Sequence, residues 1–210
     1  MSILERKPKY MTAEEYLQFV EQTGERYEFI DGVAVAMTGA SKRHNLITSS
    51  LSRILFAGLT GSGCRVYSSD VMVQVKSANS YYLPDIVVSC SGSDSDLQDP
   101  LIRSPILIVE VLSPSTASTD RREKWRTYGQ IESLREYLLV YQTKKRVEVF
   151  RKTKSGRFFA PETVESGSFL LNSISSGLSV DIEELYKDCG LASDGDATLE
   201  VREAAGGYAW

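Results

Sequence analysis

Pro105-Ile-Leu-Ile-Val-Glu-Val-Leu112 decides how the chain is read. Every side chain in it except Glu110 is apolar, as in a central strand covered on both faces. Ser113-Pro-Ser-Thr116 breaks the strand, a helix is expected from about Thr119 to Gln130, and Glu136 to Tyr141 is a second apolar strand. Strand, helix and strand in that order imply a βαβ crossover joining parallel neighbours.

Upstream, the local signals are crisp. Thr12-Ala-Glu-Glu15 is a capping box opening a short amphipathic helix through about Glu21, with Tyr16, Leu17, Phe19 and Val20 on its apolar face. Arg26 to Ile30 and Val33 to Met37 flank Asp31-Gly32, a hairpin signal, because both central positions of a type I′ turn need positive φ. From about Lys42 to Leu59, apolar residues recur at helical spacing. Cys64 to Tyr67, Val71 to Lys76 and Tyr82 to Ser89 read as strands, and Cys90 to Ser104 as a polar loop carrying Asp94, Asp96 and Asp99. Downstream, Val147 to Arg151 and Arg157 to Ala160 look like a hairpin turning at Ser155-Gly156, and Asp181 to Tyr186 like a last short helix. The expected fold class is α/β: a mixed β-sheet flanked by helices, with an N-terminal helix and β-hairpin. One domain is expected over 1–188 and a flexible tail over 189–210, since Ala192 to Trp210 has little periodicity.

Composition narrows the classes further. With 210 residues, 42% hydrophobic and 25% charged, the chain can bury one core and is not a disordered type. No apolar run approaches the roughly 18 residues needed to cross a bilayer. The opening MSILERKPKY has no apolar stretch suited to a secretory signal. Cys64, Cys90 and Cys189 are widely spaced, odd in number and form no CxxC pair, so no disulfide framework or zinc site is expected, and a cytoplasmic setting is. One histidine, His44, excludes a multi-histidine metal site within one chain. The net charge of -4 hides a division: Arg121 to Arg157 holds 12 of the 24 basic residues against 4 acidic ones. That stretch could face a polyanion, or could be solvated edge strands.

Glu110 is the most telling residue. An ionised carboxylate in such a strand costs several kcal/mol by desolvation unless a cation, proton or metal meets it. Asp85 poses the same question in Leu83-Pro-Asp-Ile-Val-Val88, where proline favours a strand start or edge. Two such carboxylates on neighbouring strands could converge at one sheet end and suit a hard cation such as magnesium or manganese. The alternatives are a turn cap and a salt-bridge partner, or an acid/base pair for metal-free glycoside hydrolysis, which no other feature of the sequence favours. Asp120, Lys124 and Tyr128 follow at i, i+4 and i+8, one helix face, which by spacing alone is an exposed ion pair worth ~0.5 kcal/mol. Ser113 and Ser115 lack a neighbouring base, and no glycine-rich phosphate loop occurs. Trp125, Tyr81 and Tyr82 could stack on bases or belong to the core.

Tyr27-Glu-Phe-Ile-Asp-Gly32, Leu83-Pro-Asp-Ile-Val-Val88, Val109-Glu-Val-Leu-Ser-Pro-Ser-Thr116, then Asp120, Lys124, Tyr128 and Glu136-Tyr137 together resemble the Uma2 family, widespread in bacteria. That family is similar to the PD-(D/E)xK nuclease superfamily. The resemblance spans about residues 10 to 188 and implies a restriction-endonuclease-like core. It implies that Asp85 and Glu110, with the backbone carbonyl of Val111, hold Mg2+ or Mn2+, whose bound water attacks a phosphodiester of DNA. Superfamily nucleases usually place lysine two residues after the second acidic residue, where this chain has Leu112. The resemblance assigns that role to Lys124 on the following helix. Glu28 resembles the acidic residue that an early element adds to such sites, and also fits a structural role beside the hairpin turn. His44 is either a helix-end residue or a neighbour of the substrate phosphate at a helix N-terminus. Gln142 is a weaker candidate. Lys42, Arg43, Arg121 and Arg122 are the candidate nucleic-acid contacts, and a homodimer would most easily cut both strands. The competing expectation is a non-catalytic nucleic-acid-binding or protein-interaction module, for which Leu112 is the best support.

Overall fold

The structure is a computed structural model describing residues 10–113, 120–153, 156–174 and 177–191, the side chains of Asp120 and Arg121 excepted. Helix α1 (Ala13–Thr23) precedes a hairpin of β1 (Tyr27–Ile30) and β2 (Val33–Ala36), then the long helix α2 (Lys42–Gly58). Strands β3 (Arg65–Ser68), β4 (Met72–Val75), β5 (Ser80–Tyr82), β6 (Ile86–Ser89), β7 (Leu101–Ile102) and β8 (Pro105–Leu112) follow. A π-helical turn, Asp120–Lys124, runs into α3 (Trp125–Tyr128). The rest comprises β9 (Glu136–Tyr141), β10 (Val147–Arg151), β11 (Glu162–Val164), β12 (Ser168–Leu171), β13 (Leu178–Asp181) and α4 (Ile182–Tyr186).

Both N-terminal signals form as their chemistry dictates. The Thr12 hydroxyl accepts from the Glu15 amide at 3.2 Å while Glu15 accepts from the Thr12 amide at 2.7 Å. Asp31 and Gly32 take φ of 47° and 87°, closing the β1–β2 hairpin.

The main sheet runs β11-β10-β9-β8-β6-β3. Parallel pairing of β8 with β9 is the expected crossover, with Glu110 opposite Leu139. On its other side β8 pairs antiparallel with β6, as far as Ile86 opposite Val109. Alternate side chains of β8 feed two cores: Leu107, Val109 and Val111 pack with α2, whereas Ile108 and Leu112 pack with Tyr128, Tyr137 and Leu139. A second sheet, β2-β1-β5-β4-β7, lies under α1, with Tyr16, Phe29, Tyr81 and Leu83 between them. The β12–β13 ribbon leads into α4, whose Ile182 and Leu185 join the α2 core.

The α/β class with helices flanking mixed sheets holds, but several sequence expectations need correction. Tyr82 to Ser89 is two strands in two sheets, not one: the chain turns a corner at Leu83-Pro84-Asp85, where proline cannot donate to a ladder. Cys64 and Cys90 form a disulfide, against the expectation of none. The register that sets Arg65 opposite Ser89 brings the two cysteines face to face one rung further, with Cα atoms 4.0 Å apart. The argument from unpaired cysteines to a reducing compartment loses its footing accordingly. The expected Thr119–Gln130 helix begins, where described, as the π turn, and α3 itself is one turn long. Among the described residues Arg157 to Ala160 forms no strand, meeting the end of β10 through the bridge Lys152–Phe158 and the Phe159 amide donating to the Arg151 carbonyl, and β11 is the further strand that pairs with β10. In the polar loop, Asp94 is buried and takes the Ser89 hydroxyl and the Arg103 and Ser104 amides, which makes it a structural anchor. Cys189 and Leu191 pack on the α2 core, and 192–210 lie outside the described residues.

Candidate active site at the end of the central strand

Glu110 projects from β8 toward the core containing Tyr128, and its Oε1 accepts from Lys124 Nζ at 3.1 Å and from the Tyr128 hydroxyl at 2.9 Å. The same Lys124 ammonium donates to Glu28 Oε1 at 2.8 Å, and that oxygen also accepts from the Leu83 amide at 3.1 Å. Lys124 and Glu110 are each 4% exposed and Glu28 7%, so water screens this network poorly. The ammonium also stands 5.6 Å from the centre of the Tyr82 ring, an added cation–π stabilisation. Burial, then the negative charges of Glu110 and Glu28, push the Tyr128 phenol well above its ordinary range, so it stays a proton donor.

Asp85 occupies the corner between β5 and β6, one position beyond the last β6–β8 rung. Its side chain continues the ladder that the backbone leaves off: Oδ2 accepts from the Val111 amide at 2.7 Å. Oδ1 pairs with His44 Nε2 at 2.8 Å. These two side chains are 17% and 14% exposed, so they form the open end of the cluster. His44 stands there because Ser41 caps α2, its hydroxyl accepting from the His44 amide at 3.1 Å. That hydroxyl lies 2.7 Å from Oε1 of buried Gln142, which fastens the helix start to the end of β9. The His44 Nδ1 atom is buried with no partner among the described residues.

Glu28, Glu110, Lys124 and Tyr128 thus form one buried network, and Asp85 and His44 a second, shallower group. Adjacent residues of β8 join them, Glu110 serving the first and Val111 the second. Val111 is seen through its amide rather than the carbonyl proposed from the resemblance. Among the described residues, no three histidine, cysteine, aspartate or glutamate side chains are grouped closely enough to hold a metal by themselves.

The remaining candidates divide. Lys42 and Arg122 are exposed, whereas Arg43 donates to the carbonyls of Cys189 and Gly190 and so secures the C-terminal segment. The side chains of Asp120 and Arg121 lie outside the described residues, as does Ser115. Much of the basic stretch is paired: Lys145 with Glu183, Arg146 with Glu148, Arg151 with Glu136 and Glu162. These cations stand in the β9–β10 turn and on β10, an interior strand between β9 and β11, so ion pairing within the fold, and not a solvated edge, takes up their charge. Tyr81 and Tyr82 are buried core aromatics, Tyr81 against Tyr16, and half-buried Trp125 packs on the core against Phe150 and Phe158. Sequence reasoning missed the Tyr82 ring under Lys124, whose only signal was its closeness to Asp85 along the chain.

Comparison with known proteins gives a consistent picture. A model of the Uma2 family, described as "Putative restriction endonuclease", matches residues 13–183. Two uncharacterized proteins of Synechocystis sp. (strain ATCC 27184 / PCC 6803 / Kazusa) are each 36% identical. One, slr1290, aligns over 182 residues, 87% of this chain and 93% of its own length. The other, sll1609, aligns over 155 residues, 73% of this chain and 88% of its own. Among solved structures, the crystal structure of "a putative nuclease belonging to DUF820" from Anabaena variabilis ATCC 29413 superposes with a TM-score of 0.68. It covers 84% of this chain and 98% of that one at 17% identity, a likeness of fold.

Proposed function

The chain belongs to the Uma2 family, and from that premise we propose that it is a metal-dependent endonuclease hydrolysing phosphodiester bonds of DNA. The observation that carries the reading is the buried lysine shared between two glutamates, Lys124 with Glu28 and Glu110. A fold seldom buries such a network for stability, because an apolar replacement of equal volume is often as good or better.

The donor chemistry fits a hard dication. Oxygen ligands are on offer and no thiolate is near. Three carboxylates, Glu28, Glu110 and Asp85, gather around one ammonium, Lys124, an excess of negative charge that a dication would offset. Asp85, Glu110 and the Val111 carbonyl would hold magnesium or manganese, with water and substrate phosphate oxygens completing the shell, as is usual for magnesium. When bound, the ion supplies Lewis-acid charge and lowers the pKa of water for attack on phosphorus. The chain's own residues do the rest. Lys124 and Tyr128 hold Glu110 by one oxygen, and the Lys124 ammonium adds fixed positive charge where negative charge gathers on the phosphoryl group. The Val111 amide and His44 fix both oxygens of Asp85 at the open end, where a phosphate can approach.

Leu112 favours a second reading, a non-catalytic nucleic-acid-binding module, since it is packed in the core where superfamily enzymes usually place lysine. Lys124 reaching Glu110 from the following turn weighs against it. Nicking of supercoiled plasmid by the parent protein, Glu110→Gln and Lys124→Met, in magnesium and in EDTA, tests the choice. Nicking that needs the metal and falls at least a hundredfold in Glu110→Gln is expected. DNA binding without cleavage in either magnesium or manganese would leave the module, and undiminished nicking by Glu110→Gln would place the chemistry elsewhere.

A further inference from the structure

Beyond His44, helix α2 carries side chains the site does not use. His44, Thr48, Ser52 and Phe56 recur every fourth residue along α2, a band that drifts about 40° per step and winds from the mouth of the candidate site to an exposed aromatic ring. A groove of about 500 Å3 follows this band, lined by Asn45, Thr48, Ser49, Ser52, Arg53 and Phe56, with Ser68 and Ser69 opposite. The far wall belongs to the site as well, because the Ser69 amide donates to the main-chain oxygen of Asp85 at 3.1 Å. Ser69 and Asp70 hold φ of 59° and 60°, a left-handed pair that non-glycine residues adopt only at a cost.

Two features of the groove point to a ligand. Ser52 is 7% exposed, lines the groove, and its hydroxyl has no hydrogen-bond partner among the described residues. A buried hydroxyl of that kind is costly unless something meets it. Phe56 is 54% exposed at the groove's end, so its ring is open to a stacking partner. The lining is hydroxyl and amide, and its cation, Arg53, is already paired with Glu184 at 3.1 Å. Such a surface contacts sugar and phosphate oxygens through neutral hydrogen bonds rather than by charge.

We infer that the groove is the path of a single nucleic-acid strand leaving the site along α2, with an unpaired base stacked on Phe56. Resting on the proposed function, this adds the substrate class: DNA with a single-stranded or splayed segment beside the scissile phosphate. Twelve residues separate His44 from Phe56, about 18 Å of helix, or roughly five stacked nucleotides. A base in a duplex offers no free face there, whereas an unpaired base stacks on an aromatic whatever its sequence.

Fluorescence anisotropy in EDTA with labelled single-stranded, forked and blunt-duplex oligonucleotides tests this on Phe56→Ala and Ser52→Ala. Each variant is expected to bind forked and single-stranded DNA about tenfold more weakly, to change blunt-duplex binding less than twofold, and to keep the parent's salt dependence. Ser52→Ala is also expected to melt no lower than the parent, since it removes an unpaired buried hydroxyl, so weaker binding could not be blamed on damage to the fold. Parent-like affinities in both variants, or equal losses on blunt duplex, overturn the strand path. If the parent nicks plasmid in magnesium while the variants bind like the parent, only this inference falls. If the parent neither binds nor cuts any DNA, the proposed function falls with it.

Discussion

Replacing Lys124 by methionine removes the one ammonium between two buried carboxylates while keeping most of the side chain's volume. Glu28 Oε1 and Glu110 Oε1 lie 2.8 and 3.1 Å from the same Nζ, so they can be no more than 5.9 Å apart. At that separation and an effective dielectric of about 20, two full charges repel by roughly 3 kcal/mol. Breaking a buried pair by deleting one partner costs about 3–5 kcal/mol in general, and the two figures agree. Urea unfolding in EDTA, followed by circular dichroism, should show a loss in that range at pH 8. A second substitution, Glu28→Gln, should restore part of the stability in the Lys124→Met background, although alone it costs stability. A loss below about 1 kcal/mol at pH 8, or no recovery on adding Glu28→Gln, would refute Lys124 as the buried counter-charge.

Alkaline titration followed by phenolate absorbance should show Tyr128, with Tyr16, Tyr82 and Tyr186, silent near pH 10 while exposed members of the 11 tyrosines ionise. Burial raises these folded-state values above the unfolded ones, so their contribution is whole below about pH 10 and is lost as pH rises through the raised values. Complete ionisation of all tyrosines before unfolding would contradict their burial. Reducing the Cys64–Cys90 bridge, which spans 26 positions, should lower stability by about 3–4 kcal/mol through loop entropy, read as a shifted urea midpoint and checked with Cys64→Ser. No shift on reduction would mean that the bridge does not restrain the unfolded chain. Asp85→Ala should abolish nicking and also cost about 1–3 kcal/mol, because the Val111 amide loses its acceptor at the end of the sheet. Unchanged stability would show that water replaces the carboxylate there.

How far the sequence could be read depended on the range of the interaction involved. The Thr12–Glu15 box and the Asp31-Gly32 turn form from atoms a few residues apart, and both appear where the chain alone places them. The strand around Glu110 and its parallel partner were legible for the same reason: a carboxylate in an apolar run is a local anomaly, and a crossover between two apolar strands leaves little topological choice. The family resemblance pointed to Lys124, which spacing alone read as half of an exposed ion pair.

The chain by itself therefore determined the strand that carries Glu110, the crossover beyond it, and the helix and hairpin at the N-terminus. Tertiary structure decided which side chains meet. Glu28 and Lys124 are 96 positions apart, His44 and Asp85 are 41, and Cys64 and Cys90 are joined across a register that no local pattern encodes. Backbone preferences are set by neighbouring sterics and hydrogen bonds, which any short window of sequence contains. Convergence of side chains depends instead on how separate elements stack, including the corner at Pro84 and the π turn before α3, and only the packed fold fixes those positions.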